Sequence, residues 1–151
     1  MSNNPFAQYN IEMPRSYKDK IAMFCSTGSV KRSRIRAPFH RQVDFWYAAF
    51  LLAVRNRLSP EQDRDTYNVT PASILSTNPW RIPHIQTAYL VLTQNVSGLA
   101  ENKRVFDFAS GMANAGIPLL IQLLEEDDDD PMWAFLDHAE AVLGEMKRGG
   151  D

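Results

Sequence analysis

Phe45-Trp46-Tyr47-Ala48-Ala49-Phe50-Leu51-Leu52-Ala53-Val54 is an unbroken run of ten apolar residues, and its flanks say what it becomes. Asp44 stands before it and Arg55 and Arg57 after it, the order of charge that complements a helix dipole. Pro38, a little upstream, suits a first helical turn, where its missing N–H would have no partner anyway. Apolar side chains fall on every face of such a helix, so it is either buried all round or partly covered by a partner. Ten residues are too few to cross a bilayer, which takes about 20. The run therefore predicts a central core helix that touches most of the others, with Phe50 inside.

Upstream of this helix the character changes. Lys31-Arg32-Ser33-Arg34-Ile35-Arg36 is strongly basic, and Arg41 and His40 extend it. Arginine's planar fork suits bidentate contact with phosphate. Thr27, Gly28, Ser29 and Ser33 add hydroxyl and backbone N–H groups of the kind that also bind phosphate. Phe39 and Trp46 are close enough in sequence to offer unpaired bases a stacking surface, although the expected role of Trp46 is burial in the core. Lys31, Arg32, Arg34, Arg36 and Arg41 are thus the candidate nucleic-acid-binding residues, reading backbone rather than sequence.

The same asymmetry runs through the whole chain. Residues 1–60 hold ten Lys or Arg and three Asp or Glu, a balance of +7; residues 61–151 hold six and fifteen, a balance of −9. Such a division points to an anionic partner, to the basic side of one copy meeting the acidic side of another, or to two halves that folding brings together so that the field evens out. Glu125-Glu126-Asp127-Asp128-Asp129-Asp130 concentrates the acid in a helix–helix connection. It lacks the alternation and the glycine of a calcium loop and reads as a solvated connection or a dock for a basic surface.

Elsewhere the pattern is helical. Residues 1–37 are punctuated by Pro5 and Pro14 and read as a partly irregular N-terminal arm carrying the basic loop, with a short buried turn or strand at 21–25. The arm's apolar handles are Phe6, Tyr9, Tyr17 and Phe24. Ser59-Pro60-Glu61-Gln62 has the form of a capping box and predicts a short helix. Thr70-Pro71 introduces a turn through Ile74 and Leu75, and Asn78-Pro79-Trp80 is another turn. From Pro83 onward, Ile85, Ala88, Tyr89 and Leu92 follow the i, i+3, i+4, i+7 rule. A further helix is expected over 101–115, closed by Gly116 as its C-cap glycine, and Pro118 is expected to open a separate short apolar one. Asp130 and Pro131 begin a last helix that reaches about Lys147. No segment shows a sustained apolar–polar alternation or an Asn-Gly hairpin signal. The expected fold is all-α: a single-domain bundle of five or six helices over 38–148, behind the arm of 1–37.

Catalytic motifs are missing from the sequence. His40, His84 and His138 stand far apart, and His138-Ala139-Glu140 has no Pro-Cys-x-x-Cys to complete a zinc site, so no metal or other cofactor is expected. Gly111 to Gly116 has the outer spacing of a phosphate loop but no Lys-Ser/Thr after it, and reads as helix packing. The single cysteine, Cys25, allows no internal disulfide and reads as a small buried thiol. Without a signal-peptide pattern at Ser2-Asn3-Asn4-Pro5, the expected location is the cytoplasm. The sequence reading is a non-catalytic helical subunit of a larger assembly, contacting nucleic acid and other protein subunits and not membrane. The alternatives are an adaptor docking an acidic protein surface, or an enzyme with a pocket assembled from distant residues. The charge division also predicts head-to-tail contact between copies, the geometry that gives rings or filaments. Sedimentation across a salt series should show association at low salt that high salt reverses; a monomer throughout, at high protein concentration, removes that expectation.

Overall fold

The computed structural model describes residues 4–26 and 37–126. Along the chain come strand β1 (Asn10–Pro14), helix α1 (Lys18–Met23), helix α2 (Gln42–Arg55), strand β2 (Thr66–Pro71), helix α3 (Arg81–Thr93) and helix α4 (Asn102–Glu125). Short 3-10 turns precede α1, follow β2 and precede α4. The described part is mostly helical, but it is not all-α: β1 and β2 pair as a two-stranded antiparallel sheet.

The sheet escaped the sequence reading because its alternation lasts only a few residues in each strand. Ile11 and Met13 point inward between exposed Asn10 and Glu12, and Tyr67 is buried between Thr66 and Asn68. The strands lie more than fifty residues apart, so no turn announces them. Register runs from Asn10 opposite Pro71 to Pro14 opposite Thr66, with a bulge that takes up Val69. Pro14 and Pro71 sit at strand ends, where a missing N–H is tolerated. Beyond one end, the Tyr9 carbonyl accepts the Ala72 N–H at 2.8 Å; beyond the other, the Asp65 carbonyl accepts the Arg15 N–H at 2.9 Å.

The N-terminal segment belongs to the core. Phe6, Ile11, Met13 and Ile21 are fully buried, and Phe24 and Cys25 nearly so. Phe6 and Tyr9 both pack on Phe106 of α4, at centroid distances of 5.7 and 5.2 Å. Residues 21–23, expected as an isolated turn or strand, complete α1.

α2 forms where the apolar run predicts, although it starts at Gln42, four residues after Pro38. Asp44 takes over the start: its Oδ2 accepts the Arg41 N–H at 3.1 Å. Phe45, Trp46, Ala49, Phe50 and Ala53 are fully buried, while Leu51 is exposed and Tyr47 half-buried. The helix is thus an inner element with one open edge.

Its principal neighbour is α4, and here two expectations are corrected. The helix expected over 101–115 and the one expected from Pro118 are a single helix of 24 residues, about 36 Å long. Gly116 does not cap it. A Cβ at Gly116 would lie 1.9 Å from the Ala49 carbonyl oxygen, so the glycine is there for the close approach of α4 to α2. Pro118, exposed on the outer side, removes the bond to the Asn114 carbonyl without ending the helix. Burial of Ile117, Leu120, Ile121 and Leu124 on the inner side outweighs that loss.

The helix expected after Ser59 is also absent; residues 58–63 are irregular. The Glu61 N–H donates instead to the Gly111 carbonyl of α4 at 2.9 Å, and Pro60 seats on Gly111. With residue 49 against 116 and residue 60 against 111, α2 and α4 run antiparallel. The α2 N-terminus therefore lies toward the C-terminal end of α4, where Lys20 of α1 pairs with Glu125 at 3.0 Å. α3 forms as expected, with Pro83 in its first turn, and ends at Gln94 in the left-handed region (φ 54°). The last expected helix, 131–147, and Asp127–Asp130 lie outside the described residues.

The Gly116 contact yields a direct test. Gly116→Ala should lower stability by at least about 1–3 kcal/mol, as overpacking does, because the obstructing atom is backbone and has no rotamer to escape through. Urea unfolding measures it. A change within about 0.5 kcal/mol, the range of an inconsequential surface substitution, would mean the helices do not meet there.

Candidate nucleic-acid interface

The residues flanking the basic segment are joined to each other. Cys25 and Phe39 form an isolated parallel bridge. In it the Ser26 N–H donates to the Phe39 carbonyl at 2.8 Å and the Phe39 N–H to the Phe24 carbonyl at 3.1 Å. The Phe39 ring meets Phe45 of α2 edge-on at 5.5 Å. Ser26 Oγ lies 3.3 Å from His40 Nδ1 across the same closure. The described residues that bound the basic segment, up to Ser26 and from Ala37, are thus brought together beside the start of α2. Lys31, Arg32, Arg34 and Arg36 belong to the intervening sequence and lie outside the described residues.

Arg41, the fifth candidate, is the N-cap of α2, exposed and in extended backbone conformation. Among the described residues no carboxylate pairs with its guanidinium. It lines an open cleft of about 430 Å³ between α1, α2 and β2. Lys18, Gln42, Tyr67, Asn68 and Thr70 line the same cleft, and no Asp or Glu does. Lys18 places its ammonium 5.3 Å from the centroid of the Tyr67 ring. The Tyr67 hydroxyl donates to Gln42 Oε1 at 2.8 Å. Burial first, and then Cys25 nearby, pushes that hydroxyl up to about 12, so it remains a donor at neutral pH. Sequence reading passed over Lys18 and Tyr67 because three elements, distant in the chain, bring them to Arg41.

The expected stacking surface is corrected. Trp46 is fully buried, stacked on Phe50 at 6.3 Å, and Phe39 is buried at the bridge. Both belong to the core because they lie on the inner side of α2 and at the closure it packs against. The exposed ring on the described surface is Trp80, 67% accessible at the N-cap of α3. Its neighbour Arg81 pairs with Asp44 in the first turn of α2 at 2.7 Å and covers the Tyr47 ring at 4.8 Å. The Tyr47 hydroxyl also meets His84 Nδ1. The starts of α2 and α3 are thereby held together, and Trp80 stands at the same end of the body as Arg41.

A second cleft, about 480 Å³, runs between β1, residues 61–66 and the first half of α4. Glu12, Glu61, Asp63 and Asp107 outnumber Arg64 and Lys103 there, and Lys103 is already paired with Asp107 at 3.0 Å. The two clefts share no lining residue. No helix among the described residues is long and apolar enough to cross a membrane. No family model, curated protein or solved structure matches the chain.

Cys25 is unsuited to act as a nucleophile. It is 2% exposed, and burial, followed by the charge of Asp44, pushes its thiol up to about 12 from 9.0. At a fixed pH below the ordinary thiol range, that leaves roughly a thousandth of the usual thiolate. Alkylation by iodoacetamide at pH 8, followed by mass spectrometry, should be negligible in the native protein and complete in denaturant. Rapid native labelling would place the thiol at the surface.

Proposed function

We propose that this chain is a non-catalytic helical subunit of a larger cytoplasmic assembly, and that it contacts the phosphate backbone of nucleic acid at the end of the body where α2 begins. The supporting observation is the Cys25–Phe39 closure. It anchors both ends of the segment bearing Lys31, Arg32, Arg34 and Arg36 beside Arg41. Arg41 and the two ends of that segment then share one small region, and the cleft that Arg41 lines has no Asp or Glu in its lining. Backbone contact of this kind is independent of base sequence and is dominated by counterion release. Trp80, exposed at the same end, offers a face on which an unpaired base can stack. Other subunits of the assembly complete the track along the strand.

Binding should accordingly be non-specific in sequence and weaken steeply with salt, with a log–log slope of roughly −3 to −4.5 for four or five phosphate contacts. Fluorescence anisotropy with labelled oligonucleotides measures it, on the isolated chain and on the assembled complex. Arg32→Ala or Arg34→Ala should reduce the slope by about one unit and weaken all sequences alike. Trp80→Ala should weaken single strands more than duplex. If a variant with all five cations replaced by Ala folds, assembles and keeps wild-type affinity, the contact is elsewhere, and docking on an acidic protein surface becomes the better reading.

A further inference from the structure

The cleft at Arg41 is built more specifically than a loose backbone contact requires. We propose that it is a seat for one phosphate group, held by Lys18, Arg41 and the side-chain amide of Gln42. This deepens the nucleic-acid reading and rests on it for the identity of the larger ligand. It adds a contact fixed on the folded body, where the basic segment contributes charge on either side of a closure.

Charge is the first argument. Two cations face the cleft without a carboxylate in its walls. The nearby Asp44 is committed elsewhere: Oδ2 accepts the Arg41 backbone N–H and Oδ1 accepts Arg81. An anion entering the cleft therefore displaces no internal partner from Lys18 or Arg41. Orientation is the second. The Tyr67 ring holds the Lys18 ammonium by its π face, and the Tyr67 hydroxyl occupies Gln42 Oε1. With its oxygen engaged, Gln42 keeps its NH₂ free to donate. A residue with a point charge, one with a planar fork and one with an amide donor thus line one cleft from α1 and the start of α2, together with Asn68 and Thr70 of β2. Several donors from different directions suit the oxygens of a tetrahedral anion better than the flat pair of a carboxylate. The cleft is larger than one phosphate needs, leaving room for what the phosphate is attached to. A backbone phosphodiester and a free phosphate share this chemistry.

The test uses the full-length protein and inorganic phosphate as probe, at constant ionic strength, with backbone and side-chain amides followed by NMR. Saturable shifts should appear at residues 41–43 and 67–70 and at the Gln42 NH₂. Lys18→Ala and Arg41→Ala should each weaken phosphate binding about tenfold, the scale of one lost charge-assisted hydrogen bond. Tyr67→Phe should weaken it less, by freeing the amide to turn, and Lys103→Ala, in the other cleft, should leave it unchanged. Both cations are exposed, so their variants should unfold at the wild-type temperature, and this is checked alongside.

Oligonucleotide binding distinguishes the sources. If Lys18→Ala also weakens nucleic acid about tenfold, the seat takes a backbone phosphate. If it weakens phosphate alone, the seat takes a free phosphate and still stands. Should nucleic acid not bind at all while phosphate saturates the cleft, the nucleic-acid reading falls and the seat survives. Shifts that do not saturate, shifts indifferent to Lys18→Ala, or acetate binding as tightly as phosphate would each overturn the seat, whatever the basic segment does.

Discussion

At Gly116 the backbone of α4 lies against the carbonyl of Ala49, and no side chain fits between them. This contact fixes how deeply the two longest helices interlock, and the rest of the body follows. It brings Ile117 and Leu120 onto the inner side of α2, where Trp46 and Phe50 fill the remaining space. With α2 so placed, residues 58–63 cross α4 at Gly111, where the Glu61 N–H donates to the Gly111 carbonyl rather than within a helix of its own. The N-terminal strand pair then covers α4 through Phe6, Tyr9 and Phe106. Packing sets these positions; local preference would have broken α4 at Pro118.

The same contact shows which parts of the fold were legible in the sequence. α2 and α3 were, because each carries a sustained apolar pattern with charge or proline at its ends. β1 and β2 were not: four-residue alternations in two distant stretches carry too little signal, and their pairing is a tertiary event. Gly116 was legible as a glycine with a purpose, but two purposes, a cap and a close approach, look alike until the neighbour is known. Trp46 was ambiguous in the same way, since a tryptophan beside arginines can stack on a base or fill a core. Arg41 was named from composition alone, whereas Lys18, Gln42 and Tyr67 join it only once α1, α2 and β2 are assembled.

Among the described residues, Arg15 with Asp65, Lys20 with Glu125 and Arg81 with Asp44 join the basic first part of the chain to the acidic second part. Most of the described ion pairs are exposed, such as Arg15 with Asp65 and Lys103 with Asp107, and pairs of that kind contribute little to stability. The exception is Arg81 with Asp44, where the arginine is only 12% exposed and also lies on the Tyr47 ring. It joins α3 to the first turn of α2 and engages the Asp44 oxygen that the Arg41 N–H does not. One carboxylate thus helps start a helix, secures a second helix and leaves the neighbouring cations without an internal counter-charge.

The closure between Cys25 and Phe39 also separates reach from architecture. Because the chain departs and returns through one bridge, the number of residues between Ser26 and Ala37 enters the stability of the body through loop closure, at about 0.6 kcal/mol for each doubling. By that measure a change of length between Ser26 and Ala37 costs little, whereas one in residues 58–63 would unseat the Glu61 N–H from the Gly111 carbonyl and Pro60 from Gly111.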